Sequence, residues 1–318
     1  MRTFFSTLLL AVLLLGGCER AQAPAENDGP GPAPIVVYVP RDSTVYTAAL
    51  FAGFTAKTGV RVTIKHDDTE AHVENVIRNQ GTPRADVLVT TGVHGIWRAA
   101  DQGALRPINS ELLDELVPAR FKDPDKLWFA TAFRPAVFAY DVRAVQAGEL
   151  TTYESLADER FRGKLCLTTS ALPANRSLVA MLIDQSGKRE AELIVRGWVA
   201  NLALPPLASQ EDLREALSVG NCAVGLAMQS DIDTPSSVGA LRYRLPQPAF
   251  VAIDGIGIAR HASQPELARQ LIEWLLAEAH YPDKIRDATL EQVAQRNAGI
   301  AGWRFDDAVK LVERAAYR

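Results

Sequence analysis

Cysteine and methionine are scarce in this 318-residue chain, three of each. No two cysteines have a metal-ligand spacing such as CxxC, so a zinc-ribbon type of site is excluded. Beyond the first few residues no apolar run is long enough to span a bilayer, which takes roughly 18 residues or more. No basic block stands out and the formal net charge is −4, which argues against a nucleic-acid partner. The chain also lacks a GxSxG elbow, an HExxH helix and a P-loop. Its lone Gly255-Ile256-Gly257 does not open a helix and is a poor dinucleotide fingerprint. Catalysis therefore has no signature in the sequence. What is present is the composition of a folded protein, 47% hydrophobic and 23% charged, on a chain too long for one core of usual size. Two lobes are expected.

The head carries the most specific local signal. Arg2 precedes an apolar run from Phe4 to Leu15, the length of a secretory h-region. Leu15-Gly16-Gly17-Cys18 resembles a bacterial lipobox, which implies cleavage before Cys18 and lipidation of its thiol. Residues 1–17 are thus read as a lipoprotein signal peptide, the alternative being an ordinary cleaved signal with Cys18 near the cut. Residues 18–34, rich in Ala, Pro, Gly and Asn, read as a flexible tether. Each methylene of an acyl anchor buried in the membrane would contribute about 0.8 kcal/mol. Cys166 and Cys222 remain as an even pair in an oxidising compartment, so a disulfide is expected; two buried free thiols are the alternative.

Strands are expected at Ile35–Val39, Val60–Ile64 and Val87–Val89. Between them lie a helix capped by Ser43 or Thr44 and stopped at Gly59, and a helix over Glu70–Asn79; another begins at Trp97. This alternation predicts right-handed crossovers and a mostly parallel sheet. Further strands are expected at Val137–Tyr140, Gly163–Leu167, Ala223–Met228 and Val251–Ile258. Helices are expected at Tyr153–Asp158, Ser177–Ser186, Glu190–Leu202 and Glu266–Glu278.

The order of several blocks resembles the bacterial periplasmic solute-binding proteins of ABC importers, iron(III)-binding type. The blocks are Val37-Tyr38 with Arg41, Phe54-Thr55 with Thr58-Gly59-Val60, Ala85-Asp86-Val87-Leu88, and Trp97-Arg98-Ala99 with Gly103. Thr152 to Asp158, Lys164 to Leu167, Asn175 to Ala180 and Gly220 to Val224 follow in family order. The resemblance implies an α/β, two-lobed periplasmic-binding-protein (class II) fold, in which two Rossmann-like lobes are joined by crossing hinge strands. Lobe 1 is expected at 35–133 and 229–318, and lobe 2 at 134–228. It is compatible with a Cys166–Cys222 bridge. It also implies a lipid-anchored periplasmic monomer that is no enzyme, captures a small solute or metal in its cleft, and passes it to a permease and ATPase in the inner membrane. No cofactor is required; Fe(3+) with a synergistic anion is the implied cargo. A sensory receptor for a membrane partner is a second class. An enzyme built on Ser230 and His94 is a third, which nothing in the spacing demands.

The family's iron ligands carry over poorly. The adjacent tyrosine pair after the strand Val224–Met228 is replaced by Ser230 and Asp231, and the His-Tyr pair after Arg41 by Asp42 and Ser43. Tyr140 matches a family tyrosine, with a packed core aromatic as the alternative. Tyr140 and Asp231 are therefore the expected metal ligands, with Asp42 as a further oxygen donor. His66, Asp67, Asp68 and His72 form a second acidic and imidazole cluster, which an exposed helix start explains equally. The anion half of the site survives better. Thr168, Thr169, Ser170, Asn175 and Arg176 surround a helix start, while Arg41 and Arg134 match arginines at the cleft edge. With His94 in the loop after the third strand, these residues make up the expected ligand contacts. A small anionic organic solute is the alternative cargo.

Overall fold

The computed structural model describes residues 33–41, 43, 45–229, 240–279 and 298–318. Strand β1 (Ile35–Pro40) is buried along its whole length, as expected of a parallel strand covered on both faces. Helix α1 (Ala48–Thr58) starts later than its sequence implied. Its cap is Thr47, whose hydroxyl accepts from the Leu50 N–H, and it stops at Gly59, with φ 72°. Then come β2 (Val62–Asp67), α2 (Thr69–Ile77), β3 (Val87–Thr90), α3 (Val93–Asp101), β4 (Leu105–Arg106) and α4 (Glu111–Leu116). Buried Asp86 ties this lobe together: its carboxylate accepts from Val36 N, Ser263 N, Ser263 Oγ and Gln264 N.

The long strand β5 (Phe129–Asp141) links two half-sheets. Next along the chain are β6 (Leu165–Cys166), α5 (Pro173–Ser186), α6 (Lys188–Ala200), α7 (Gln210–Ser218) and β7 (Val224–Met228). Strands β8 (Leu241–Arg244) and β9 (Val251–Ala259) lead to α8 (Pro265–Trp274), α9 (Gly299–Trp303) and α10 (Phe305–Arg314). The strand order is β2-β1-β3-β9-β5-β7-β6, with β4 on β9 and β8 on β5. Residues Phe129–Pro135 of β5 pair with β9, whereas Ala136–Tyr140 pair with β7. Helix α6 shows how the second half packs: Ala191, Ile194, Val195 and Trp198 recur at helical spacing and all are buried.

One expectation is corrected here. The sheet is mixed. β1 pairs in parallel with β2 and β3, and β6 with β7, but β9 and β5 run antiparallel to all their partners. Strand β7 does not cross between halves. It lies wholly in the second half-sheet, and β8 is still there, opposite Phe138–Asp141. The return crossing is at Phe250, whose carbonyl accepts from Ala136 N at 2.9 Å. Asp307 of α10 pairs with Lys188 and Arg314 with Glu192, both on α6, and the Tyr317 hydroxyl donates to Thr168 O at 2.6 Å.

The crossing point is locked by Tyr153. Its buried hydroxyl donates to Ala136 O at 2.8 Å and accepts from Phe250 N at 2.9 Å. Burial raises its pKa far above the usual phenol range. The Cys166–Cys222 disulfide is formed, with Cα atoms 5.8 Å apart, and joins β6 to the entry of β7.

Candidate functional site

Parallel strands place their carboxyl ends, and the helix starts that follow, at one edge of a half-sheet. In the first half this edge carries Arg41, Ser43 and the turn Thr90-Thr91-Gly92 that opens α3. In the second it carries Thr168, Thr169 and Ser170, which follow β6 and open α5. The two edges meet. A Cβ placed on Gly92 would come within 3.1 Å of Pro173 Cβ, the first residue of α5. The mouth of the cleft is therefore where the α3 and α5 amino ends face one another.

Each expected site residue can now be placed. Arg41 is exposed and its guanidinium binds Asp67 at 2.9 Å. Ser43 is half-buried, its N–H on Pro40 O. Asn175 is turned into the loop. Its amide donates to Thr168 Oγ1 at 2.8 Å and to Thr169 O at 2.9 Å, so it shapes the turn. Thr169 N donates to Leu207 O and Thr169 Oγ1 accepts from Ala171 N. Ser170 is buried beside Arg318. Arg176 has no ion pair among the described residues, its Nε is buried without a partner, and its guanidinium lies 5.9 Å from the Phe305 ring. His94 stacks on Phe305 with ring centroids 4.0 Å apart and lies 3.4 Å from Gly302 O through Nδ1. Burial pulls its pKa below the ordinary value, reinforced by the nearby Arg176 charge.

Two expectations fail on geometry. Tyr140 is only 6% exposed and sits opposite Val224, at the amino end of β7. The cleft end of that strand is at Met228, opposite Ala136, about 14 Å away at ~3.4 Å per residue. Tyr140 is thus a core aromatic, and its role as a metal ligand is withdrawn. The cluster around His72 is not a metal site either. His72 is buried, its Nε2 donates to Val39 O and Lys65 O, and its Nδ1 has no partner. Among the described residues no group of three His, Cys, Asp or Glu converges to hold a metal. Asp42, Ser230, Asp231 and Cys18 lie outside the described residues.

Arg134, expected at the cleft edge, lies two residues before Ala136, where β5 passes from β9 to β7, and its fork is taken. Nη1 and Nη2 each reach a carboxylate oxygen of Asp254 at 2.6 Å. Asp254 also accepts the Gly92 N–H at 2.8 Å. Sequence reasoning passed over Asp254, although a lone acid within the apolar run Val251–Ile258 is a signal for a buried partner. It also missed Phe305, which no local pattern connects to His94. Behind the mouth, Val93, Ser177, Met181, Phe250, Ile253 and Ala301 line a largely apolar cavity, with the Ser177 hydroxyl buried and unpartnered.

This two-lobed cleft is shared with known proteins. The chain is 28% identical over 286 residues to Iron uptake protein A1 of Synechocystis sp., covering 86% of this chain and 79% of that protein. It is 24% identical over 241 residues to a putative 2-aminoethylphosphonate-binding periplasmic protein of Salmonella typhi, covering 72% and 68%. The Trichodesmium protein IdiA (FutA), solved with iron and citrate, superposes with a TM-score of 0.78 at 26% identity, over 90% of this chain and all of that one. The sequence pattern of the bacterial extracellular solute-binding proteins matches residues 49–287. That match, over most of the chain, makes it a member of the bacterial extracellular solute-binding protein family, a binding protein and not an enzyme.

Proposed function

We propose that the protein captures a ferric iron species between its lobes and delivers it to the permease and ATPase of an ABC importer. The observation that carries this reading is the match to the Trichodesmium protein, whose structure holds iron and citrate, over 90% of this chain. The Synechocystis iron uptake protein supports it. In this chain the tyrosine pair is replaced by Ser230 and Asp231 and Tyr140 lies in the core. A hard cation then takes oxygen from carboxylates such as Asp231 and Asp42 and from an accompanying anion. Arg176 and the α5 start, with Thr169 and Ser170, favour that anion.

Periplasmic residence goes with the family. We further propose that Cys18 carries lipid and that residues 18–34 tether the clamp near its permease, raising the effective concentration. Lobe 1 is drawn at 35–135 and 251–279, and lobe 2 at 136–250 with 305–318 packed on it.

The test is binding by the soluble protein lacking residues 1–18. Ferric citrate should raise the melting temperature, since a ligand at a hundred times Kd adds about 2.7 kcal/mol. Tyr140→Phe should leave that affinity unchanged. No shift with ferric citrate at millimolar concentration refutes the iron reading. A small anionic organic solute is the second reading, favoured by Ser230 and Asp231 and by the phosphonate-binding relative. A shift with 2-aminoethylphosphonate or iron-free citrate, and none gained from iron, would establish it.

A further inference from the structure

We propose that Asp254 is a positioning residue, holding the cleft turn Thr90–Val93 in its solute-ready form and coupling it to the crossing strand through Arg134. The proposal rests on reading the cleft as the solute site.

The turn needs external support. Gly92 caps α3 with φ 77° and ψ 154°, a region that side-chain-bearing residues rarely adopt, and it faces Pro173 of the other lobe. Its N–H is fixed by Asp254 Oδ1 at 2.8 Å, and its carbonyl accepts from Thr90 Oγ1 at 3.0 Å. Asp254 lies on β9, the strand between β3 and β5, opposite Ala132. Arg134, two residues before the crossing at Ala136, grips both its oxygens. The Arg134 and Asp254 side chains are 22% and 14% exposed, so water competes weakly for the pair. A planar fork on a carboxylate fixes orientation as well as distance. One carboxylate thus connects three elements: the strand shared by the two half-sheets, the sheet beside it, and the turn at the cleft mouth. Rotation about the crossing displaces Arg134, and Asp254 transmits that displacement to the Gly92 amide.

Asp254→Asn tests this, since it keeps size and one acceptor but cannot serve Arg134 and Gly92 together as an anion. In the solute-free protein, amide hydrogen exchange over residues 90–95 should rise about ten-fold or more, the scale of one charge-assisted hydrogen bond. Exchange in β1 should not change. Arg134→Lys keeps the charge but loses the fork, so it should give a smaller rise at the same amides. Ferric citrate and 2-aminoethylphosphonate are then titrated. Whichever binds the wild-type protein should bind Asp254→Asn about ten-fold more weakly. Adding Arg134→Gln to Asp254→Asn should weaken binding little further, because the two act as a unit. Unchanged exchange over 90–95, a rise matched in β1, or full affinity in Asp254→Asn overturns the proposal. If neither probe binds wild type, the iron and phosphonate readings fail, while the exchange measurement still decides whether Asp254 holds the turn.

Discussion

Removal of the disulfide gives the sharpest quantitative test of the second lobe. The bridge closes a loop of 56 residues, from Cys166 to Cys222. In the chain-entropy view, cutting it frees the unfolded chain by about 4 kcal/mol. Both half-cystines are buried, at 0% and 3% exposure, in a small cluster with Val137, Leu213, Leu217 and Ala227. Replacing both by alanine therefore also leaves two sulfur-sized gaps, about 1 kcal/mol each. Reduced wild-type protein should lose about 4 kcal/mol, and the double alanine variant about 6. Guanidinium unfolding followed by circular dichroism and tryptophan fluorescence reads both values. Because β6 runs directly into Thr168–Ser170 and pairs with Val224 and Gly225, the reduced protein should also bind its solute more weakly. A loss below about 1 kcal/mol on reduction would refute the loop argument.

Three further outcomes are expected. Tyr153→Phe removes the hydroxyl that serves Ala136 O and Phe250 N, leaving a buried N–H without its side-chain partner, and should cost about 1–3 kcal/mol in chemical unfolding; an unchanged midpoint would show that the crossing does not depend on it. Gly302→Ala would put a Cβ 2.6 Å from Trp97 Cβ and Cγ, forcing α9 off α3 at a cost of about 1–3 kcal/mol, readable as a lowered melting temperature. His72 and His94 are both held below the ordinary histidine value of 6.5, chiefly by burial. The unfolded chain takes up their protons first as pH falls, so their contribution is complete above about pH 6.5 and declines below it, by up to about 1.4 kcal/mol per pH unit for each. His72→Gln should flatten that slope in acid titrations of stability; an unaltered slope would remove His72 from it.

Much of the first lobe was legible because its signals are local. Continuous apolar strands, the stop at Gly59 and the spacing of β1, β2 and β3 all follow from side-chain burial and backbone preference over a few residues. The start of α1 was misplaced by competition among neighbouring hydroxyls: Thr47 has the geometry to accept the Leu50 N–H. The helix read from Trp97 begins at Val93, just after Gly92, whose φ of 77° and ψ of 154° turn β3 into α3.

The candidate site was legible only in part. Thr168 to Ser170 follow β6 as a strand-to-helix turn predicts, although α5 starts at Pro173, four residues before the expected Ser177. Tyr140 was not, because matching a tyrosine by order says nothing of how far along a strand it lies, and here the register puts it away from the cleft. The partner of Arg134 was not legible either, because it lies 120 positions away on β9.

The sequence by itself determined the α/β class and a size fit for two lobes, since each depends on composition or short-range order. Tertiary structure alone decided that β5 is the shared strand, that the chain returns at Phe250, that α10 packs on the second lobe, and that Asp254 joins Arg134 to Gly92. Those facts rest on contacts between residues far apart in the chain, and a buried charge or N–H finds its partner only after the strands have been brought side by side.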